Sequence, residues 1–215
     1  MVAACERSGR NPREVQLVAV SKVRPARDVN AVVEAGQLLF GENRVQEARE
    51  KIPQVAGSGL KWHLIGPLQR NKVKYAVALF DLIQSVDSLE LAREIHQKTQ
   101  RPMPVLIQVN IGREPQKHGL LPEEVEGLAR EMAQLSGLQV RGLMAIPPYA
   151  PDPEAVRPYF QAITQLADHL AGLGIPEISM AERSMGMSHD YEVAIEEGAT
   201  LVRVGSALFG PRPPR

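Results

Sequence analysis

Short apolar segments alternate with longer amphipathic segments along most of the chain. The short segments, such as "LVAV" at residues 17–20, have the composition of strands buried on both faces. The longer segments, such as "VEGLAREM" at residues 125–132, repeat their apolar positions at helical spacing. We predict strands near residues 16–21, 37–40, 60–65, 82–85, 104–109, 138–144, 177–181 and 200–204. We predict helices near residues 26–35, 43–52, 69–79, 88–99, 122–135, 154–171 and 189–197.

This alternation of strands and helices favours parallel strands joined by right-handed crossovers. Eight such units close most naturally into a single (β/α)8 barrel of the TIM type, and 215 residues lie near the lower end of its size range. A doubly wound open sheet is the competing architecture. No Gly/Ser-rich linker divides the chain, so we expect one domain over residues 1–215.

The composition argues against several classes of partner. The formal net charge is zero, so we expect neither bulk nucleic-acid binding nor attachment to an anionic membrane. The longest apolar runs fall well short of the roughly 20 residues that a membrane helix needs. Cys5 is the only cysteine, which excludes an intrachain disulfide and favours a cytoplasmic location. We expect the chain to be a monomer.

Polar residues and glycines recur where the predicted strands end. In a (β/α)8 barrel these loops meet at one rim, where active sites lie. The first strand leads into Ser21 and Lys22, and the eighth ends at Arg203, followed by Gly205 and Ser206. The rim is therefore the predicted functional site.

The last two loops have the composition of a phosphate site. Such a site needs close backbone approach, free N–H groups and hydroxyl donors. Gly186 and Gly205 permit the approach, and the hydroxyls come from Ser184, Ser188 and Ser206. The alternative is that Ser188 only caps the helix predicted to start near residue 189.

Lys22 gains significance from this phosphate site. In a closed barrel the first strand lies beside the eighth, so Lys22 would stand next to a bound phosphate ester. Partial burial lowers the pKa of a lysine towards the neutral amine that attacks aldehydes. Phosphate site, lysine and ring pocket together describe pyridoxal 5′-phosphate held as a Schiff base. The alternative is that Lys22 is an ordinary solvated charge.

Seven motifs resemble those of the pyridoxal-phosphate homeostasis protein family, single-domain cytoplasmic relatives of the N-terminal barrel of alanine racemase. In chain order they are "LVAVSK", "FGENRVQE", "WHLIGPLQRNK", "VLIQVNI", "RGLMAI", "SMGMSHD" and "VRVGSALFG". The resemblance implies a fold-type-III barrel that binds pyridoxal 5′-phosphate, with Lys22 as the Schiff-base lysine. It places Arg203 at the pyridine nitrogen. It also implies phosphate contacts from Ser184, Ser188, Gly205 and Ser206, and positions near the ring for Asn43 and Met144.

Arg203 sets an expectation about the chemistry. A permanent positive charge beside the pyridine nitrogen disfavours its protonation, so a carbanion on a bound amino acid is stabilised less. Such a site suits racemisation, which needs this stabilisation least, or simple storage of the cofactor. We expect a protein that stores, buffers or delivers the cofactor to apo-enzymes, with no catalytic residue of its own. Weak amino-acid racemisation is the alternative. It would need a second acid or base, for which His63, Tyr149 and His189 are candidates, although each fits a structural role better.

Two other function classes have little support. The five histidines form no H-x-x-x-H or H-E-x-x-H pair, so we expect no metal site. The local basic run Lys61, Arg70, Lys72 and Lys74 lacks the interleaved aromatic residues that stack on bases, so nucleic-acid binding is not expected.

The segment "EISMAERSMGMS" departs from the expected pattern, because Glu182 and Arg183 separate the seventh apolar run from Ser184. Either the strand ends early and a longer loop follows, or the charged pair interrupts the strand.

Overall fold

A computed structural model describes residues 1–211 as a barrel of parallel strands wrapped by helices. The strands are β1 Gln16–Val20, β2 Leu39–Glu42, β3 Lys61–Leu64, β4 Leu82–Val86, β5 Met103–Val109, β6 Leu138–Ala145, β7 Ile178–Met187 and β8 Leu201–Val204. The α-helices are α1 Val2–Arg7, α2 Ala26–Glu34, α3 Val45–Lys51, α4 Val73–Leu79, α5 Leu89–Lys98, α6 Val125–Met132, α7 Arg157–Gly172, α8 Tyr191–Glu196 and α9 Ser206–Phe209. Short 3-10 turns cover Pro12–Glu14, Ile52–Gln54, Arg70–Lys72, Pro122–Glu124 and Pro153–Val156.

The strands follow one another in sequence order, and β1 pairs with β8 to close the barrel. In that closing pair Val18 lies opposite Arg203 and Ala19 opposite Val204. The predicted (β/α)8 fold is therefore confirmed, and the open sheet is excluded. The prediction of a single domain over residues 1–215 stays a prediction, and its last four residues lie outside the described part of the chain.

The alternation of side chains along each strand divides the core into two layers. Residues that point outward pack against the helices, as Phe40 does where its ring stacks on Trp62 at 5.1 Å between centroids. Residues that point inward fill the barrel. The inner layer consists of Val18, Leu82, Leu106, Met144 and Leu201. This apolar plug closes the barrel from below, so any ligand site must lie above it.

Strand β7 differs from the prediction of residues 177–181, because it continues through Glu182 and Arg183 to Met187. Val140 pairs with Ile178 and Gly142 pairs with Glu182, so residues 179–181 bulge opposite Arg141 alone. The bulge places both charged side chains next to hydrogen-bond partners in the segment that precedes β8. The Glu182 carboxylate accepts from the Thr200 hydroxyl, and Arg183 Nε donates to the carbonyl oxygen of Gly198.

The sequence pattern also missed α9, a single turn that follows β8 and lies beside the predicted phosphate loop. Four residues are too few to display helical periodicity. Among the described residues, no helix has both the length and the apolar composition to cross a bilayer.

The bulge in β7 depends on Gly142. Its φ is 154°, and a Cβ there would lie 1.8 Å from the carbonyl oxygen of Glu182. We expect Gly142→Ala to lower the free energy of unfolding by about 3 kcal/mol, because the backbone of β7 would have to move. Gly127→Ala is the matched control, since a Cβ there meets nothing within 4 Å on helix α6. It should raise stability by about 0.5–1 kcal/mol. Urea unfolding of both variants tests this, and equal stabilities would contradict it.

Candidate functional site

A cavity of about 400 Å³ opens at the carboxyl end of the barrel. Its apolar walls come from Val20, Ile65, Ile146 and Met187. Six of the eight predicted site residues line it: Lys22, Asn43, Ser188, Arg203, Gly205 and Ser206. The closed barrel thus brings together residues from the first, second, seventh and eighth strand ends.

A larger depression of about 960 Å³ lies mainly on the outside, beside α1, α7 and α8. Its charged groups neutralise one another, because Arg157 pairs with Glu154, Glu196 and Glu197, and Arg7 pairs with Glu196. These are ion pairs that fasten α1 and α7 to α8. The smaller cavity contains the convergent polar groups and is the better candidate for a ligand site.

Ser188 lies against the backbone of Gly205 and Ala207, and we call these three residues the anion cradle. Its Oγ accepts hydrogen bonds from the backbone N–H groups of Gly205, at 3.1 Å, and Ala207, at 3.4 Å. It does not cap α8, whose N-cap residue is Asp190. The alternative interpretation of Ser188 as a helix cap is therefore wrong. Since both N–H groups donate to Ser188 in this structure, the donor that remains for a phosphate here is the Ser188 hydroxyl.

Gly186 was predicted to permit close approach of a phosphate, but it allows close packing of a helix instead. It has a φ of 87°, and a Cβ there would lie 2.5 Å from the Cβ of Ala194 on α8. The missing side chain therefore serves close packing of α8 on β7, and the cavity is not lined by Gly186.

The guanidinium of Arg203 is buried at the base of the cavity. Its Nη1 donates to Ser184 Oγ at 2.6 Å, and its Nη2 donates to the carbonyl oxygen of Ala145 at 2.8 Å. Burial lowers the pKa of Arg203 to about 10, an effect that the charge of Asp190 opposes. The group is still charged at neutral pH, and no carboxylate within residues 1–211 forms an ion pair with it. An uncompensated buried charge is costly, so its position calls for a functional explanation.

A polar relay continues from Arg203 across the barrel interior. The Ser184 hydroxyl donates to Gln84 Oε1 at 2.6 Å, and Gln84 Nε2 lies 2.9 Å from Nδ1 of His63. Since an amide nitrogen only donates, Nδ1 accepts and the His63 proton is assigned to Nε2. Burial lowers the pKa of His63 to about 4, so the ring is neutral. The relay joins β8, β7, β4 and β3 directly beneath the cavity.

Ser184 and Met144, both predicted near the ligand, do not line the cavity. The hydroxyl of Ser184 is fully buried. It accepts a hydrogen bond from Arg203 and donates one to Gln84. Met144 belongs to the apolar plug. Neither side chain reaches the cavity surface, a depth that sequence order alone does not give. Gln84 was missed because it sits within an apolar strand far from any motif.

Comparison with known proteins matches residues 6–213 to the family model described as alanine racemase, N-terminal domain. The pyridoxal phosphate homeostasis protein of Aquifex aeolicus is 44% identical, covering 97% of this chain and 92% of that protein. The protein of the same name in Escherichia coli is 43% identical, with 98% and 91% covered. The chain belongs to the pyridoxal phosphate homeostasis protein family.

Solved structures agree with this assignment. The structure of PipY of Synechococcus elongatus with PLP bound has a TM-score of 0.84 and 38% identity, covering 97% of this chain and 98% of that one. An alanine racemase from Corynebacterium glutamicum has a TM-score of 0.70 at 18% identity, covering 97% of this chain and 59% of that one. At that identity the likeness establishes the barrel fold alone.

Within this member of the homeostasis family, two aromatic groups stand at the cavity mouth. Tyr149 is 81% exposed, and its ring lies 5.7 Å from that of His189 between centroids. His189 Nε2 donates to the carbonyl oxygens of Ala150 and Pro151, at 3.2 and 3.0 Å. His189 therefore holds the proline-rich loop in place.

Over residues 1–211, no group of three His, Cys, Asp or Glu side chains could hold a metal ion.

The buried His63 should make stability depend on pH. Its pKa is about 4 in the folded chain and about 6.5 when unfolded, so the unfolded chain takes up the proton first as pH falls. The free energy of unfolding should therefore decrease between pH 6.5 and pH 4, by at most about 3 kcal/mol. His63→Gln should remove this part of the slope, whereas the control His169→Gln, on an exposed side chain, should retain it. Urea unfolding at several pH values measures both slopes, and parallel slopes for the two variants would contradict the assignment.

Proposed function

We propose that this protein binds pyridoxal 5′-phosphate in the cavity and acts in cofactor and amino-acid homeostasis, storing, buffering or delivering the cofactor in the cytoplasm as a monomer. The observation that carries this proposal is the charged, buried guanidinium of Arg203 beside Lys22 and an anion cradle. The PLP-bound state of PipY and the names of the bacterial relatives support it.

The residues around the cavity fit this cofactor. Ser188, Ser206 and the backbone of Gly205 would hold the phosphate, and Arg203 would meet the pyridine nitrogen. Asn43 would lie along the ring, against apolar walls that suit a flat aromatic surface. Ser184 and Met144 would act indirectly, Ser184 by orienting Arg203 and Met144 by closing the barrel beneath it.

Lys22 would attach the cofactor covalently. Its Nζ would hold the aldehyde carbon as a Schiff base, with the aldehyde oxygen and two protons released as water and no oxidant or reductant needed. When bound, the cofactor supplies an aldehyde that can be passed on and an electron-withdrawing ring.

The surroundings of Arg203 suit storage of the cofactor, or at most racemisation, which needs the electron-withdrawing ring least. A guanidinium with a lowered pKa of about 10 is still a full positive charge at pH 7 and keeps a nearby ring nitrogen unprotonated. Such a ring withdraws electrons weakly. Two of the three candidates for a second acid or base are engaged, since His63 is bonded inside the barrel and His189 Nε2 is bonded to two carbonyls. Tyr149, at the cavity mouth, is the remaining candidate. Weak racemisation is the alternative function, and apo-enzymes are the expected recipients of the cofactor.

The attachment predicts a visible absorption band on adding pyridoxal 5′-phosphate to the purified chain. Lys22→Ala should abolish the band, because it removes the amine. Lys74→Ala, at an exposed lysine outside the cavity, is the control and should retain it. Racemisation of L-alanine by the loaded protein should not exceed that of Lys22→Ala, and faster turnover would favour the racemase alternative. A loaded Lys22→Ala variant with an unchanged spectrum would sink the assignment of Lys22.

The cradle predicts a dependence on the phosphate group. Ser188→Ala should weaken binding of pyridoxal 5′-phosphate about tenfold, the effect of one charge-assisted hydrogen bond. Binding of pyridoxal, which lacks the phosphate, should not change. Ser58→Ala, at an exposed serine in the loop before β3, is the control. Titration calorimetry with both ligands tests this, and equal losses for the two ligands would argue against phosphate binding at Ser188.

A further inference from the structure

The turn that carries Lys22 has a strained backbone. The N–H of Arg24 donates to the carbonyl oxygen of Ser21 at 3.1 Å, closing a turn with Lys22 and Val23 at its centre. Val23 has a φ of 58°, in the left-handed region that β-branched residues avoid and that this turn position reserves for glycine. Its side chain is 54% exposed, so burial does not explain the conformation. Bonds elsewhere must therefore hold the turn in place.

Those bonds come from three charged side chains that we call the back cluster: Glu42, Glu47 and Lys51. Glu47 Oε1 accepts from the N–H of Val23 at 2.6 Å. Lys51 Nζ donates to the carbonyl oxygen of Ser21 at 2.7 Å, and the Ser21 hydroxyl donates to Glu42 Oε1 at 2.6 Å. The cluster therefore forms hydrogen bonds with the residues immediately before and after Lys22.

The back cluster is a costly arrangement for stability alone. Lys51 is only 6% exposed, and its three N–H donors match three acceptors at 2.7 Å, on Ser21, Glu42 and Glu47. Glu42 is fully buried, burial raises the pKa of its carboxyl group, and its Oε2 has no partner among the described residues. Replacement of such a buried ion pair by apolar residues is often neutral or stabilising. Stability is therefore a weak explanation for its presence.

The cluster acts from behind the cavity. Side chains alternate along β1, so Val18 and Val20 face the barrel interior while Ala19 and Ser21 face outward. Lys22, the next residue, lines the cavity, whereas none of the three back-cluster residues does within residues 1–211. Their bonds to Ser21 and Val23 give them a route to a ligand through the turn.

We propose that the back cluster is a positioning device, in which Glu47 holds the strained turn through the N–H of Val23 and so aims Nζ of Lys22 at the cofactor aldehyde. This inference rests on the proposed attachment at Lys22. Glu47 is the testable member, because its side chain is 25% exposed and its removal leaves the Lys51–Glu42 pair intact.

Two ligands distinguish an effect on the orientation of Lys22 from an effect on the shape of the cavity. Pyridoxal 5′-phosphate reports covalent capture, followed as cofactor that borohydride fixes to the apo-protein over time. Pyridoxamine 5′-phosphate has an amine in place of the aldehyde and reports the cavity alone, by calorimetry. Glu47→Ala should slow capture about tenfold, from the loss of one charge-assisted hydrogen bond, and leave binding of the amine analogue unchanged.

Three further variants complete the design. Glu47→Gln keeps an acceptor for the Val23 N–H and should restore most of the capture rate. Val23→Pro removes the same N–H from the other side, forces a negative φ and should reproduce the selective loss even if Glu47→Ala does not fold. Glu50→Ala, an exposed position on the same helix, is the matched control and should behave as wild type.

Capture at the wild-type rate in both Glu47→Ala and Val23→Pro would overturn the proposal. Parallel loss of both ligands would also overturn it, because the cluster would then support the cavity as a whole. Failure of the proposed function itself would be distinct, since wild-type protein would then fix no cofactor at Lys22 at all.

Discussion

The buried guanidinium of Arg203 is the constraint on which the carboxyl end of this barrel depends. A charge without a paired carboxylate can be kept inside a protein only if its donors are bonded. The Ser184 hydroxyl and the Ala145 carbonyl meet that need, and Gln84 and His63 extend the bonding across the barrel. This polar layer lies inside the barrel beside the apolar plug, since Val18 pairs with Arg203 and Met144 pairs with Ser184, and Arg203 reaches the cavity. It keeps the positive charge at the cavity floor, where an electron-rich ligand can meet it.

Lys22 is held by a second, separate set of polar bonds on the opposite face of β1. The back cluster fixes its turn from outside the strands, whereas the relay fixes Arg203 from inside the barrel. The relay is buried and crosses the barrel from β8 to β3, whereas the back cluster is largely buried and joins β1 and β2 to α3. Lys22 is proposed to bind the aldehyde of the cofactor, and Arg203 is proposed to meet its pyridine nitrogen. Both are therefore oriented by residues that do not line the cavity. Rigid support of this kind is what a site for a covalently held ligand requires.

Sequence patterns predicted the barrel and six of the residues that line the cavity because both depend on local order. Each apolar run ends in a loop, and barrel closure brings those loops to one rim. The depth of Ser184 and Met144 was not predictable in this way, since it depends on the bulge in β7 and on the barrel's inner layer. Gln84 and Ser184 are 100 residues apart and meet only across the closed barrel. Glu47 and Lys51 show helical i,i+4 spacing, but nothing in that spacing reveals that their common target is the turn of Lys22.

The most direct test of the account is peptide mapping of the protein after incubation with pyridoxal 5′-phosphate and borohydride reduction. The account predicts that mass spectrometry finds the reduced cofactor on Lys22, at close to one per chain, with little on the exposed lysines. Absence of label, or label spread over exposed lysines such as Lys61 and Lys74 with Lys22 unmodified, would contradict it.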